Sequence, residues 1–387
     1  MTRRQLLLGM PAFLQHRRQR IIVFMVDGLG ADYIAASAMP VLASWQKKGI
    51  GKIVNGVMPS VTNANNTSIC CGAWPEKHGI TANFYLDETT GREEYMESAD
   101  LVLAPTLFER ARHAGVTSAL LSSKKKTITL LQRGASIVLS AEIPTPEWTE
   151  RLGEAPDIYS AEINHWLLKA ALWILRRQPE IGILYVHTTD YPMHMWPPEA
   201  EPSRRHLAQL DALLGECSAA APDAAILLTA DHGMHHKTRC WDLMRACAAR
   251  GVTLRSAISA EQDKYLKHHS GFGGTAWVYL KSNRDSERAA AVIEKLPGVQ
   301  EVLTRTEAAR RLRLMPSRIG ELVALGNRDT VFGTMDSEVV ALPAEYRSHG
   351  GSAEAKVPLV IHNAEQAPGA GFFRSNVDLA RWLFASE

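Results

Sequence analysis

Cysteine is scarce and poorly placed for cross-linking. The five residues Cys70, Cys71, Cys217, Cys240 and Cys247 are odd in number and contain no C-x-x-C pair. That argues against a disulfide framework and fits reduced thiols in a cytoplasmic protein. Long apolar runs are missing too: no stretch reaches the ~18 residues a membrane-spanning helix needs. Neither sign of charge dominates. With 43 Lys and Arg against 41 Asp and Glu the net charge is +2, so nothing global argues for nucleic acid or an anionic membrane as partner. Internal repeats and low-complexity linkers are also absent. The opening "MTRRQLLLGMPAFL" faintly suggests a twin-arginine export signal. Its apolar run is only about nine residues, short for an h-region, and "QHRRQR" comes at once after it, so the expected location is the cytoplasm.

What is present points to a large α/β protein. The chain of 387 residues is 46% hydrophobic and 22% charged, enough for one sizeable core plus an insertion. "RIIVFMVDG", "VTSALLSS", "IGILYVHTTD" and "AAILLTADHG" are continuous apolar runs, the pattern of strands buried on both faces. Helical patterns such as "SAEINHWLLKAALWILRR" and "PSRRHLAQLDALLGEC" lie between them. The alternation predicts a doubly wound, mostly parallel sheet with helices on both faces. From about residue 256 to 345 the texture changes to short strands with one helix, a small α+β cap inserted late. The catalytic core is therefore expected over 1–255 and again over 346–387, where "VPLVIHN" resumes the strand pattern and "NVDLARWLFASE" closes with a helix.

In such sheets the functional crevice lies beyond the carboxyl ends of the strands. Asp27, Asp190 and Asp231 each stand at such an end. Any one of them could be a plain helix cap, but three at equivalent positions, two with histidine nearby, point to a site. His194 follows Asp190 by four residues, on the same side of one helical turn. His232 adjoins Asp231. His349, in "RSHGG", follows the insertion, where glycine neighbours would let backbone approach a ligand. Carboxylate and imidazole suit zinc, with manganese or iron as lesser options. Two ions about 4 Å apart stabilise both the attacking and leaving atoms of an in-line displacement at phosphorus. Thr62, in "MPSVTNANNTSICCG", begins an apparent helix. It reads either as a helix cap or as a nucleophile activated by metal. Lys124, Lys125 and Lys126 follow a strand directly, either as a solvated face or as a cationic edge of the crevice.

The segments "VFMVDG", "MPSVTNANNTSICCG", "PEKHGITANFYLD", "TTDYPMH", "TADHGM" and "RSHGG" run in order along nearly the whole chain. In them the sequence resembles the alkaline phosphatase superfamily, in its nucleotide pyrophosphatase/phosphodiesterase-like branch, and within it the phosphonoacetate hydrolases. The resemblance implies two zinc ions, one held by Asp27, Thr62, Asp231 and His232, the other by Asp190, His194 and His349. It implies Thr62 as nucleophile, with Asn83 hydrogen-bonded to a phosphoryl oxygen. Lys124 and Lys126 would grip the substrate's carboxylate; between them stands Lys125, where the family pattern leads to an acidic residue. The implied reaction is hydrolysis of the C–P bond of phosphonoacetate to acetate and phosphate through a phosphothreonine. A nucleotide phosphodiesterase or general phosphatase with the same two metals is the nearest alternative, and a non-catalytic binder of a phosphorylated ligand the more distant one. The expected partner is a small phosphonate, not nucleic acid or membrane, and a homodimer is compatible with the sequence. His78 is expected to orient the loop before Asn83. His235, His236, His268 and His269 stay open between surface and site.

Overall fold

The computed structural model describes residues 19–263, 267 and 270–384. The expected apolar runs assemble into one seven-stranded sheet in the order Ile50–Asn55, Lys356–His362, Ala225–Thr229, Ile21–Met25, Ile183–His187, Ser118–Ser122, Ile137–Ser140. The Ile21–Met25 strand sits centrally, parallel to both neighbours. Lys356–His362 alone runs the other way, antiparallel to the strand on each side. Every residue of the strands at Ile21, Ser118, Ile183 and Ala225 is buried. Burial on both faces explains why these strands read as unbroken apolar runs rather than as alternating patterns.

Register places the site. Met25 lies opposite both His187 and Thr229, so the residues just past these strands emerge at one level. Long helices Glu162–Arg177 and Glu201–Ala220 pack together beside the sheet. Among the described residues no helix is long and apolar enough to cross a membrane. The residues of the twin-arginine-like opening, up to 18, and His268 and His269 lie outside those described.

A second, antiparallel sheet has the order Leu254–Ser259, Thr275–Leu280, Leu322–Gly326, Val299–Thr304. Trp241, Leu243, Ala246 and Cys247 share an apolar cluster with Leu254, Val278 and Leu322. Packing thus draws the chain into this unit from about Trp241, ahead of the change in texture near 256. The entering and leaving chains pair where His235–His236 meets Arg347–Ser348. The closing helix expected from "NVDLARWLFASE" is instead two short 3-10 turns, Asn376–Leu379 and Arg381–Phe384. Asp378 turns its carboxylate back onto the backbone N–H groups of Arg374 and Ser375. This local closure competes with a longer helix.

Candidate active site

Three carboxylates converge at the strand ends. Asp27 follows the central strand, its N–H donating to Thr188 Oγ1 at 2.9 Å. Asp231 Oδ1 accepts two backbone N–H groups, from Gly28 at 3.1 Å and His232 at 2.9 Å. Asp190 precedes the short helix Tyr191–Met195 without using its side chain as a cap; its Oδ2 lies 3.0 Å from His194 Nε2. Gly28 has φ +74, and a Cβ there would lie 3.0 Å from that of Asp190. Only glycine lets these two strand ends approach so closely.

The histidines share one arrangement. His194 Nδ1 meets Arg347 O at 2.9 Å, His349 Nδ1 meets Ser60 O at 2.8 Å and His232 Nδ1 meets Gly233 O at 3.0 Å. A carbonyl only accepts, so each Nδ1 carries a proton there, and Nε2 is the nitrogen left to face the neighbouring carboxylates. The His232 and His349 rings stack with centroids 3.5 Å apart. The glycines after His349 serve packing of the two units: a Cβ on Gly274 would lie 2.7 Å from Gly351 Cα, and Gly274 N donates to His349 O at 2.9 Å.

Thr62 is the first residue of helix Thr62–Cys71, with Val61 at the N-cap and no side-chain cap. The hydroxyl therefore does not cap the helix; Oγ1 lies 3.4 Å from His232 Nε2. The small polar residues around it are buried pins. Asn65 Oδ1 accepts from Val57 N at 2.7 Å and its Nδ2 donates to Val57 O at 3.1 Å. Asn66 Oδ1 accepts from the Tyr185 hydroxyl at 2.5 Å. Asn83 Oδ1 accepts from Asn63 N at 3.1 Å, placing Asn83 beside the start of the helix. His78 is buried, with Nε2 2.7 Å from Ser68 Oγ and Nδ1 accepting from Ile80 N. Burial pushes it down to about 3, a neutral structural histidine.

Two groups that the sequence does not single out belong to the cluster. His187 is fully buried, 3.1 Å from Asp27 Oδ2 through Nε2 and 2.8 Å from Ser122 Oγ through Nδ1. The only hint is its place in "YVHTTD", at the end of a strand. Glu261, from the second unit, lies 3.0 Å from His349 Nε2 through Oε1 and 3.2 Å from Asn83 Nδ2 through Oε2. Burial pushes its carboxyl up to about 8, against the pull of Lys126.

The donor set fits metal. Asp190, His194 and His349 offer ligand atoms within 4.8 Å of one another; so do Asp27, His187 and Asp231, and Asp27, Asp190 and His232. Among the described residues, Asp27 Oδ1 and Asp231 Oδ2 are buried without a hydrogen-bond partner. Buried orphan atoms of this kind are costly unless a ligand or ion meets them. Burial raises all three carboxylates, but Lys124 and His187 pull Asp27 below its ordinary range, and Lys124 and His194 do the same for Asp190. Asp231, buried and facing Asp27, is pushed well above its range. Such packed like charges call for a cation between them.

The lysines are not idle. Lys124 Nζ lies 2.7 Å from Asp27 Oδ2 and 2.7 Å from Asp190 Oδ1, bridging the two expected metal positions. Lys126 pairs with Asp263. Lys125 is exposed and its backbone N–H donates to Glu142. His235 pairs with the buried Glu354 at 2.7 Å and takes no part in the cluster.

The chain that carries this arrangement has known relatives. The family model for type I phosphodiesterase / nucleotide pyrophosphatase matches residues 21–352, and the chain belongs to that family. Its structure is similar to phosphonoacetate hydrolase from Sinorhizobium meliloti 1021, solved with phosphonoformate and with phosphonoacetate, at a TM-score of 0.85 and 29% identity over 95% of each chain. Murine ectonucleotide pyrophosphatase / phosphodiesterase 5 shares the fold at a TM-score of 0.69 and 16% identity, over 94% of this chain and 95% of that one. Among curated proteins, bis(5'-adenosyl)-triphosphatase enpp4 of Mus musculus is 26% identical over 238 residues, 58% of this chain and 49% of that protein. The chain thus spans about half the length of such curated relatives.

Proposed function

We propose that the protein hydrolyses the C–P bond of phosphonoacetate to acetate and phosphate, with Thr62 as nucleophile. The observation that carries this reading is the set of three imidazoles, each pinned at Nδ1 by a backbone carbonyl with Nε2 turned toward strand-end carboxylates next to Thr62. Asp27, Thr62, Asp231 and His232 would hold one divalent ion, and Asp190, His194 and His349 the other; imidazole and carboxylate donors favour zinc. When bound, such ions supply positive charge that lowers the pKa of the threonine hydroxyl and offsets charge on the phosphonyl oxygens.

The chain's own groups define the rest. Thr62 Oγ1 attacks phosphorus in line. The C–P bond breaks and its electron pair passes to the α-carbon, delocalised into the carboxylate as an enolate. A bare carbanion is a very poor leaving group, so cationic charge near the developing enolate is essential; Lys124 supplies it. The start of the Thr62 helix favours the negative phosphonyl group, and Asn83 beside it orients a phosphonyl oxygen. The enolate takes up one proton, equivalent to the one Thr62 Oγ1 gave up on attack, and becomes acetate. Water then hydrolyses the phosphothreonine, restoring Thr62 and releasing phosphate.

Similarity to phosphonoacetate hydrolase along nearly the whole chain supports this substrate over a nucleotide, as does the Lys124 ammonium beside the strand-end carboxylates. The test is acetate and phosphate release from phosphonoacetate by zinc-loaded protein, run against cleavage of p-nitrophenyl thymidine phosphate. Turnover of phosphonoacetate with little diester cleavage is expected. Brisk diester cleavage without acetate release would favour a nucleotide phosphodiesterase instead.

A further inference from the structure

Resting on the phosphonoacetate reading, we propose that Asp263 is a specificity residue: it occupies Lys126 in place of the substrate's carboxylate and leaves Lys124 to read that group. The Lys126 ammonium is bonded to Asp263 Oδ2, with the two side chains only 10% and 4% exposed. Lys126 stands in the first turn of the Lys125–Leu131 helix, just beyond the Ser118–Ser122 strand. Asp263 comes from the opposite unit, beyond the Leu254–Ser259 strand. The stretch carrying it is anchored to the site: Asn83 N donates to Ala260 O at 3.0 Å, and Glu261 reaches Asn83 and His349. Residues 260–263 thus bring one carboxylate to the phosphonyl-binding side and a second to the lysine expected to bind the substrate's far end.

The two lysines differ in what could release them. Lys124 is held by Asp27 and Asp190, groups for which a divalent ion competes directly with an ammonium. Asp263 is not in any of the potential metal-holding groups among the described residues, so metal loading leaves the Lys126 pair in place. A substrate carboxylate approaching Lys126 would sit beside Asp263, and like charges at that range in a buried setting repel strongly. The expected two-lysine grip thereby becomes a one-lysine grip with a neutralised neighbour.

The test uses metal-loaded full-length protein. In the Thr62→Ala background, where phosphonoacetate can be bound without turnover, calorimetry compares Asp263 with Asp263→Asn, which keeps the shape and removes the charge. The expected result is phosphonoacetate binding about tenfold tighter in Asp263→Asn, the scale of one recovered charge contact. Methylphosphonate, which lacks the carboxylate, should bind unchanged. Equal shifts for both ligands, or no tightening, overturn the inference. Should Asp263→Asn fold poorly, the double variant Lys126→Gln/Asp263→Asn holds a neutral pair in the same place. Its KM for phosphonoacetate should stay within about threefold of wild type, whereas Lys124→Gln should raise it about a hundredfold. A hundredfold rise in the double variant would show that Lys126 reads the substrate and overturn the inference. Absence of phosphonoacetate turnover by the wild type, with diester cleavage intact, would instead overturn the functional reading, and this inference with it.

Discussion

At the scale of single residues, the site works by orientation. Each of His194, His232 and His349 spends its Nδ1 proton on a backbone carbonyl, and Asp231 spends one oxygen on two backbone N–H groups. The second ring nitrogens and the other carboxylate oxygen are thereby turned inward. Removal of the Thr62 hydroxyl should therefore separate chemistry from architecture. Thr62→Ala is expected to lower phosphonoacetate turnover by about a thousandfold or more, with zinc content by elemental analysis still close to two ions per chain, the expectation for a two-metal site. Turnover within tenfold of wild type would remove Thr62 from the reaction. The strand-end residues are legible in the sequence because buried parallel strands are continuous apolar runs, and the residues just past such a run fall in the crevice. His187 is not, because its role comes from a neighbouring strand: register sets it opposite Ser122 and within reach of Asp27. Glu261 is hidden for a stronger reason, since only the docking of the second unit carries it to Asn83 and His349.

At the scale of elements, the helix Thr62–Cys71 has every residue buried, polar ones included. In the sequence its asparagines are small polar residues following Thr62; in the structure they tie the preceding loop and the Ile183–His187 strand to the Thr62 helix. The Ile50–Asn55 and Ile137–Ser140 strands lie at the two edges of the sheet, where only partial burial leaves a weaker apolar signal. The loop bearing His349 has its own anchor. Glu354 is fully buried, bonded to Lys237 Nζ at 2.9 Å, to His235 at 2.7 Å and to Gly351 N at 3.0 Å. Burial alone would raise its carboxyl, but Lys237 and His235 outweigh that and hold it down to about 2, against 4.5 ordinarily. A folded-state value below the unfolded one gives stability that is complete above the unfolded value and fades as pH falls through the folded one. Glu354→Gln should therefore be less stable than wild type near neutrality. In urea unfolding the gap should shrink by about 3 kcal/mol as pH falls from about 5 to about 2. A gap independent of pH would show that Glu354 is not held as a charged group.

At the scale of the whole molecule, the site is composite. The mostly parallel sheet supplies the three carboxylates, the returning chain supplies His349, and the second unit closes over them with Glu261 and Asp263. Metal should accordingly couple to folding stability. Removing it with a chelator should abolish turnover and lower the thermal midpoint, since a ligand bound a thousandfold above its Kd adds about 4 kcal/mol; added zinc should restore both. An unchanged midpoint and full activity after chelation would contradict a metal role. The family and the convergence of carboxylates and imidazoles are legible because their motifs lie at strand ends in a fixed order. The pairing of Lys124 and Lys126 with protein carboxylates is not, because it depends on which groups the folded chain brings opposite them. The most direct test of the central claim is acid quenching of zinc-loaded protein during phosphonoacetate turnover, followed by mass spectrometry of its peptides. The account predicts a phosphoryl group on Thr62 that appears with substrate and decays as substrate is exhausted. Steady phosphate release with Thr62 unmodified at every time sampled, in a variant slowed enough to accumulate an intermediate, would contradict it.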